Sequence, residues 1–222
     1  MNKRFISRPL SFLMAWWLLV SLTLPLARAV SGNTVTIRTA EELQAFSKTC
    51  ALDTWSQNQT AVLAADLDLT GVDFTPIPTF AGVFDGQGHT ITGLRLTGPG
   101  STVGLFRYIQ PGATVRNLTV KGAVVPGGTR SVVGGIVGDN AGTLENCVFS
   151  GTVEGKSAVG GIAGRNSAAG QIIRCSTSGS VSGESATGGI AGRNLGLILT
   201  CVNSAGVNLT RTENNLDLKE VD

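Results

Sequence analysis

The stretch Val133–Asn140, VGGIVGDN, returns almost unchanged as VGGIAGRN at 159–166 and as TGGIAGRN at 187–194. The glycines at the second position of each copy lie 160−134 = 26 and 188−160 = 28 residues apart. Residues behind the motif recur at similar spacings: Leu144, Ile172 and Ile198; Cys147, Cys175 and Cys201; Val153, Val181 and Val207. Three copies in register identify a repeat protein.

A repeat of this length, with short β-type runs broken by glycine and asparagine, cannot bury its apolar residues alone and must stack on its neighbours. We therefore predict an all-β fold, a right-handed single-stranded parallel β-helix of about four to five coils over residues 61–207. Equivalent strands of neighbouring coils would lie ~4.8 Å apart. Equivalent residues would then form ladders along the stack, with Ile136, Ile162 and Ile190 in the interior.

Two details of the coil follow from the repeat. Leu144 and Cys147 are an odd number of residues apart, so one unbroken strand cannot point both inward, and a corner is expected near Glu145 and Asn146. One ladder of asparagines would share amide hydrogen bonds along the stack, and asparagine also tolerates the left-handed backbone of a sharp turn. Its members are Asn140, Asn166 and Asn194.

Residues 1–29 have the three parts of a secretory signal peptide: an early basic cluster, an apolar run over 10–24 and an Ala27-Arg28-Ala29 ending. An uncleaved membrane anchor is the alternative, but the apolar run is shorter than the ~20 residues that a spanning helix needs. Cleavage leaves 17−4 = 13 basic and 15 acidic residues. That balance gives no argument for binding nucleic acid or anionic lipid. We expect a secreted, extracytoplasmic protein without a membrane span.

The segment 30–60 is expected to hold a strand, Thr34–Ile37, and a short capping helix. Thr39 and Glu42 have the spacing of a capping box, which predicts a helix from there to about Thr49. Such a helix would cover the first sheet edge, which is otherwise a template for unwanted pairing. The run 61–69 resembles a strand, and the polar segment 208–222 is expected to be a C-terminal cap or linker.

The motif VGGIAGRN, followed by a G-x-I-x-x-C run and preceded by FDGQGHTI and ADLDLTG, resembles the GLUG-motif repeat proteins. That family consists of bacterial secreted and cell-surface proteins, and the resemblance covers residues 34–207. It implies a surface location and a β-helix of the pectate-lyase type. It implies no particular activity, because GLUG repeats occur beside assorted partner domains.

The cysteines of the repeat, Cys147, Cys175 and Cys201, would stack in register. Their Cα spacing falls within the range that a disulfide can bridge, but their parallel Cβ directions favour a ladder of buried thiols. A metal site is not predicted, since no Cys-x-x-Cys pair occurs and the single histidine, His89, lies in another segment. No cofactor is predicted either.

No catalytic residue is assigned. His89 could act as a base beside Asp85, but no nucleophile can be named, so a structural role in a turn is preferred. Asp66, Asp68 and Asp73 lack a calcium-loop spacing and are expected to cap turns. The repeat acids change from coil to coil, which argues against the paired carboxylates of a glycoside hydrolase.

Four residues are candidates for ligand binding: Trp55 and Tyr108 as aromatic platforms, and Arg165 with Arg193 as a stacked pair for an anionic group. The preferred function is a non-enzymatic adhesion scaffold that binds an extracellular glycan or a surface protein. A carbohydrate-active enzyme on the same fold and a pure structural spacer are the alternatives. The sequence leaves the oligomeric state open.

Overall fold

Four parallel sheets wrap around a common core in the computed structural model, which describes residues 33–52 and 54–210. The predicted fold class is confirmed: the chain is a parallel β-solenoid of about six turns with one short helix near its N-terminus. The predicted signal peptide, 1–29, and residues 211–222 of the predicted tail lie outside the described residues. Within the described part, none of the helical structure has the length and hydropathy of a membrane span.

The sheets differ in length. Sheet 1 contains seven strands: β1 (Thr34–Ile37), β2 (Thr60–Leu63), β4 (Val83–Asp85), β8 (Thr114–Arg116), β12 (Thr143–Glu145), β16 (Gln171–Ile173) and β20 (Leu197–Leu199). Sheet 2 contains six: β3 (Leu67–Asp68), β5 (Thr90–Leu96), β9 (Thr119–Val124), β13 (Val148–Glu154), β17 (Ser176–Gly183) and β21 (Val202–Leu209).

The two remaining sheets contain four strands each. Sheet 3 is formed by β6 (Thr102–Val103), β10 (Val132–Gly134), β14 (Ala158–Gly160) and β18 (Ala186–Gly188). Sheet 4 is formed by β7 (Phe106–Ile109), β11 (Val137–Asn140), β15 (Ala163–Asn166) and β19 (Ala191–Asn194). A complete coil therefore passes through sheets 3, 4, 1 and 2 in that order.

The glycines of the repeated motif allow sheets 3 and 4 to approach each other closely. A Cβ atom on Gly134 would overlap the carbonyl oxygen of Val137 and the amide of Gly164. A Cβ atom on Gly135 would overlap the ring of Phe149. Because no side chain fits at these positions, the glycines of the motif VGGI are required at the tight bend between β10 and β11.

The expected corner lies at Asn146, which has a φ of 51°. The same position in the neighbouring coils is also left-handed, with φ 52° at Asn117, 52° at Arg174 and 53° at Thr200. Asn140 and its equivalents in the asparagine ladder lie in strands with ordinary backbone geometry. Left-handed geometry belongs to the corner between sheets 1 and 2.

The helix α1 (Ala40–Thr49) begins where the capping box predicts, and Thr39 Oγ1 accepts a hydrogen bond from the amide of Glu42 at 3.2 Å. Its buried face carries Leu43 and Phe46. The Phe46 ring lies 6.0 Å from the ring of Phe80 and 5.9 Å from that of Phe84. The helix thus closes the interior of the first coils with an aromatic cluster.

The predicted coil count of four to five is too low, because the solenoid has about six turns. The run 61–69 was expected to form one strand, but it is divided into β2 and β3 around a corner at 64–66. The coils before Val132 lack the VGGI motif, so their boundaries have no repeated signal in the sequence. Register with later strands reveals them: Ala61, Phe84, Val115 and Leu144 occupy one interior ladder.

Candidate functional site

Three of the four candidate binding residues lie in one ladder on sheet 4. Tyr108 is in register with Asp139, Asp139 with Arg165, and Arg165 with Arg193. In-register neighbours in a parallel sheet lie about 4.8 Å apart, so the ladder is a continuous row of polar side chains. The structure therefore brings together a phenol, a carboxylate and two guanidinium groups.

Arg165 is held by Asp139 within this ladder. Its Nε atom donates to Asp139 Oδ1 at 3.0 Å, and Nη2 contacts Oδ2, which makes the pair bidentate. Ser167 Oγ donates to the same carboxylate at 2.9 Å. The hydrogen bond with Asp139 raises the pKa of Arg165. Arg193 follows in the ladder, is exposed, and belongs to none of the ion pairs formed by the described residues.

Trp55 lies apart from this ladder, beside α1. Its ring is half-buried and meets the ring of Phe46 edge-on, with the centroids 5.8 Å apart. It borders a shallow hollow of about 270 Å³ together with Glu42 and Thr49. This position makes Trp55 part of the packing between the helix and the first coil, away from the sheet 4 ladder that contains Tyr108.

The asparagine ladder forms a chain of side-chain amides in the interior. Asn140 Nδ2 donates to Asn166 Oδ1 at 2.8 Å, and Asn166 Nδ2 donates to Asn194 Oδ1 at 2.8 Å. Asn140 and Asn166 are fully buried, whereas Asn194 is exposed in the last coil. The Asn140 side chain also forms hydrogen bonds with the amide and the carbonyl of Gly142. It therefore stabilises a turn within its own coil as well as the contact with the neighbouring coil.

The four cysteines are free thiols. Cys147 and Cys175 are buried and Cys201 is half-buried. The neighbouring sulfur of Cys175 and burial together raise the pKa of Cys147, and burial raises that of Cys50 to about 12. Thiols with such pKa values are protonated at neutral pH and are poor nucleophiles.

A groove of about 530 Å³ lies on the other side of α1, and we call it the α1 groove. Four separate segments line it: Ser47, Lys48 and Ala51 at the end of the helix, part of the loop 73–78, residues 95–103, and Arg107. Its volume lies within the range of about 300–1,000 Å³ that is usual for small-ligand sites. Prolines, Phe74 and Leu96 give it apolar walls.

The charged side chains of the α1 groove are mostly basic. Lys48, Arg95 and Arg107 line it against one carboxylate, Asp73. None of these cations takes part in an ion pair of the described residues. The guanidinium carbon of Arg107 lies 5.8 Å from the centre of the Tyr108 ring, which connects the groove with the sheet 4 ladder. The groove is thus an electropositive cleft with apolar walls.

Two aspartates outside the groove already have hydrogen-bond partners. Asp85 accepts from Arg116 Nε at 2.8 Å and from Asn117 at 3.1 Å, and His89 Nδ1 lies 3.0 Å from Asp66 rather than from Asp85. The possible His89–Asp85 pair is therefore not formed. Within the described part of the chain, no group of three His, Cys, Asp or Glu side chains could hold a metal ion.

Sequence reasoning did not find the α1 groove. Its lining comes from segments that are up to about sixty residues apart, and no motif connects them. The signal that was available is compositional: Phe74, Pro76 and Pro78 in one loop, and Gly98-Pro99-Gly100 in another, interrupt the repeat. Such insertions in a solenoid form the loops that build binding sites.

Comparison with known proteins finds a relative of part of the chain and a solved structure with a similar fold. No protein-family model matches the chain. The chain is 34% identical over 142 residues to halomucin of Haloquadratum walsbyi, in an alignment that covers 55% of this chain and 2% of halomucin. The chain thus spans a small fraction of that relative. Its fold resembles the crystal structure of a candidate immunoglobulin A1 protease of Bacteroides ovatus, with a TM-score of 0.57, 18% identity, and coverage of 78% and 83% of the two chains.

Proposed function

We propose that this chain is a secreted or cell-surface, non-enzymatic scaffold that binds an anionic extracellular glycan in the α1 groove. The observation that carries the proposal is the set of three cations, Lys48, Arg95 and Arg107, in one groove with no ion-pair partner among the described residues. A carboxylate or sulfate on a sugar would neutralise the positive charge of these side chains, and the apolar walls would contact the faces of the sugar rings.

We favour a glycan as the ligand because the three cations of this groove come from three different elements. Lys48 lies on the helix, Arg95 in β5 and Arg107 in β7. A polymer with a charge on successive sugar units could contact the cations of all three elements. The signal peptide predicted at 1–29 supports an extracytoplasmic location for such a ligand.

The groove does not favour the enzymatic alternative. Glycoside hydrolysis needs two carboxyl groups on opposite sides of the scissile bond, and Asp73 is the one acid among the described residues that line the groove. The resemblance to the Bacteroides ovatus protein concerns the fold, and it brings no proteolytic residues to this chain.

Binding can be tested with a polymer whose charge is adjustable. Residues 30–222 would be titrated with polygalacturonate and with the same polymer after full methyl esterification, which removes the charge and keeps the backbone. We expect binding of the charged form alone, and weaker binding as the salt concentration rises. Released saccharide ends would be assayed in the same samples. Equal binding of both polymers, or binding of neither, would contradict the proposal. Released saccharide ends would support the enzymatic alternative.

Variants locate the site. The double variant Lys48→Gln and Arg95→Gln should weaken binding about a hundredfold or more, since charge-assisted hydrogen bonds contribute about 1.5–3 kcal/mol each. Lys121→Gln removes an exposed lysine outside the groove and serves as the matched control. Arg193→Gln tests the sheet 4 ladder separately. Loss of binding in Arg193→Gln alone would move the site from the groove to the ladder.

A further inference from the structure

The α1 groove lies where sheet 3 lacks a strand. The coil before β6 contributes β4 to sheet 1 and β5 to sheet 2, and its Ile77 forms a parallel bridge with Phe106 of sheet 4. Residues 72–76, which precede that bridge, form no strand, so sheet 3 begins one coil later, at β6. Among the described residues β6 therefore pairs with β10 on one side only, and Thr102 and Val103 of β6 line the groove.

The same missing strand explains the position of Arg107. Strand register aligns this residue with the third glycine of the repeated motif, which is Gly138 in one coil and Gly164 in the next. In those coils the glycine lies against the sheet 3 strand of the preceding coil. A Cβ atom on Gly138 would lie 3.0 Å from the amide nitrogen of Val103, and one on Gly164 would lie 2.6 Å from that of Val133. At Arg107 the preceding coil has no sheet 3 strand among the described residues, so a long side chain fits there and lines the groove.

The backbone of β6 presents hydrogen-bonding groups to the groove. In β10 the Val132 amide donates to the Ser101 carbonyl of the preceding coil at 2.8 Å, and in β14 the Ala158 amide donates to the Ser131 carbonyl at 2.7 Å. Thr102 has the same register position in β6, so its amide points to the side where no strand lies. Its carbonyl points to the same side, since both groups of such a residue in a parallel sheet face the same neighbour. Thr102 is 7% exposed, and its amide forms no hydrogen bond with another backbone group of the described residues.

We infer that the open edge of β6 holds the glycan together with the cations, through the backbone amide and carbonyl of Thr102. This inference rests on the proposed function of the α1 groove. The amide would donate to a carboxylate oxygen of the ligand, which Lys48, Arg95 and Arg107 also attract. The carbonyl would accept a hydrogen bond from a sugar hydroxyl. Because a buried amide without a partner is unfavourable, a ligand that meets both groups should bind more tightly than its charge alone would allow.

These contacts narrow the class of ligand. The cations alone attract any polyanion, including one that has no hydrogen-bond donor. An anion without a donor would leave the carbonyl of Thr102 unpaired. A polymer of uronic acid with free hydroxyls supplies both the acceptor for the amide and the donor for the carbonyl, so it is the class of glycan that fits this edge.

Thr102→Pro tests the amide, because proline has no N–H donor. Proline is tolerated in an edge strand where the N–H faces away from the sheet, so the variant should fold, which circular dichroism would check. It should bind polygalacturonate about tenfold or more weakly than the unmodified protein, the loss expected for one hydrogen bond to a charged acceptor. Thr102→Val is the matched control. It keeps the amide and the branched shape of the side chain, and it should bind as the unmodified protein does.

Other results would separate this inference from the proposed function. If Thr102→Pro binds polygalacturonate as well as the unmodified protein does, the inference is overturned and the proposed function stands. Equal losses in Thr102→Pro and Thr102→Val would assign the contact to the side chain and would also overturn the inference. If the unmodified protein binds no polygalacturonate, both proposals fail. Binding of poly-L-glutamate in that case would show that the edge of β6 pairs with an acidic peptide instead.

Nuclear magnetic resonance of the unmodified protein provides a test that needs no variant. On addition of polygalacturonate, the resonances of the Thr102 amide proton and carbonyl carbon should shift, and this amide should exchange with solvent more slowly. The amide of Val132, which already donates to Ser101, should not change. An unchanged Thr102 amide in protein that is saturated with polygalacturonate would overturn the inference, even if Thr102→Pro failed to fold.

Discussion

The substitution Asn166→Ala should destabilise the solenoid far more than Asn194→Ala, although both remove the same side chain from the same ladder. Asn166 is buried between two neighbours. It accepts from Asn140 at 2.8 Å and donates to Asn194 at 2.8 Å, with longer contacts to the carbonyls of Gly170 and Leu197 at 3.3 Å each. Asn194 has one such neighbour and lies exposed in the last coil.

The size of the effect follows from these bonds. Each of the two short hydrogen bonds contributes about 1 kcal/mol, and a buried carbonyl or amide left without a partner costs about 1–3 kcal/mol more. Asn166→Ala should therefore lower the free energy of unfolding by about 3–5 kcal/mol. In Asn194→Ala, the buried Asn166 Nδ2 loses one acceptor but keeps its contacts to the carbonyls of Gly170 and Leu197, so the loss should be about 1 kcal/mol.

Guanidinium chloride unfolding of residues 30–222, followed by circular dichroism, measures both values. The comparison requires the same dependence of free energy on denaturant in all three proteins, because a changed slope would indicate that part of the stack unfolds separately. If Asn166→Ala costs no more than Asn194→Ala, buried amide bonding does not hold the coils together. The apolar ladders would then account for the stacking.

Three further results are expected. Gly135→Ala should destabilise the fold by about 1–3 kcal/mol, because the new methyl group would overlap the ring of Phe149; Gly206→Ala, where the nearest atom is 3.9 Å away, should change the unfolding midpoint little. Burial acts to raise the pKa of Asp85, but hydrogen bonds from the Gln87 amide, Asn117 and Arg116 lower it below its ordinary value. The ionised carboxylate therefore stabilises the fold at neutral pH, and this stabilisation is lost as the pH falls through the pKa of the folded protein. In Asp85→Asn the free energy of unfolding should decrease less on acidification than in the unmodified protein. Under native conditions iodoacetamide should modify the half-buried Cys201 first and the buried Cys147 only after unfolding, as peptide mass spectrometry would show; equal labelling rates would contradict the packing described.

Much of the fold could be predicted because the repeat fixes both period and register. Val133–Asn140 and its two copies define which residues align, and alternation along each strand then defines which point inward. The odd spacing between Leu144 and Cys147 also predicted the corner at Asn146. The first coils were undercounted because their strands share no motif with the later ones.

The candidate site could be predicted in part. The register placed Arg165 next to Arg193, and the structure agrees. The same register also placed Asp139 beside Arg165, but their bidentate ion pair depends on side-chain conformations that the register does not determine. Trp55 was expected as an exposed platform, but no repeat relates it to the coils, and it packs on Phe46.

The sequence by itself therefore determined the stacking, the ladders and the position of the capping helix, because these depend on local spacing and on repetition. The tertiary structure alone decided where the α1 groove lies and which charges remain unpaired. Lys48, Arg95 and Arg107 come from three elements that have no common pattern, and only the packing of α1 and two irregular loops against the coils brings them together. Repetition defines a regular stack, whereas a site on that stack depends on contacts between segments that do not repeat.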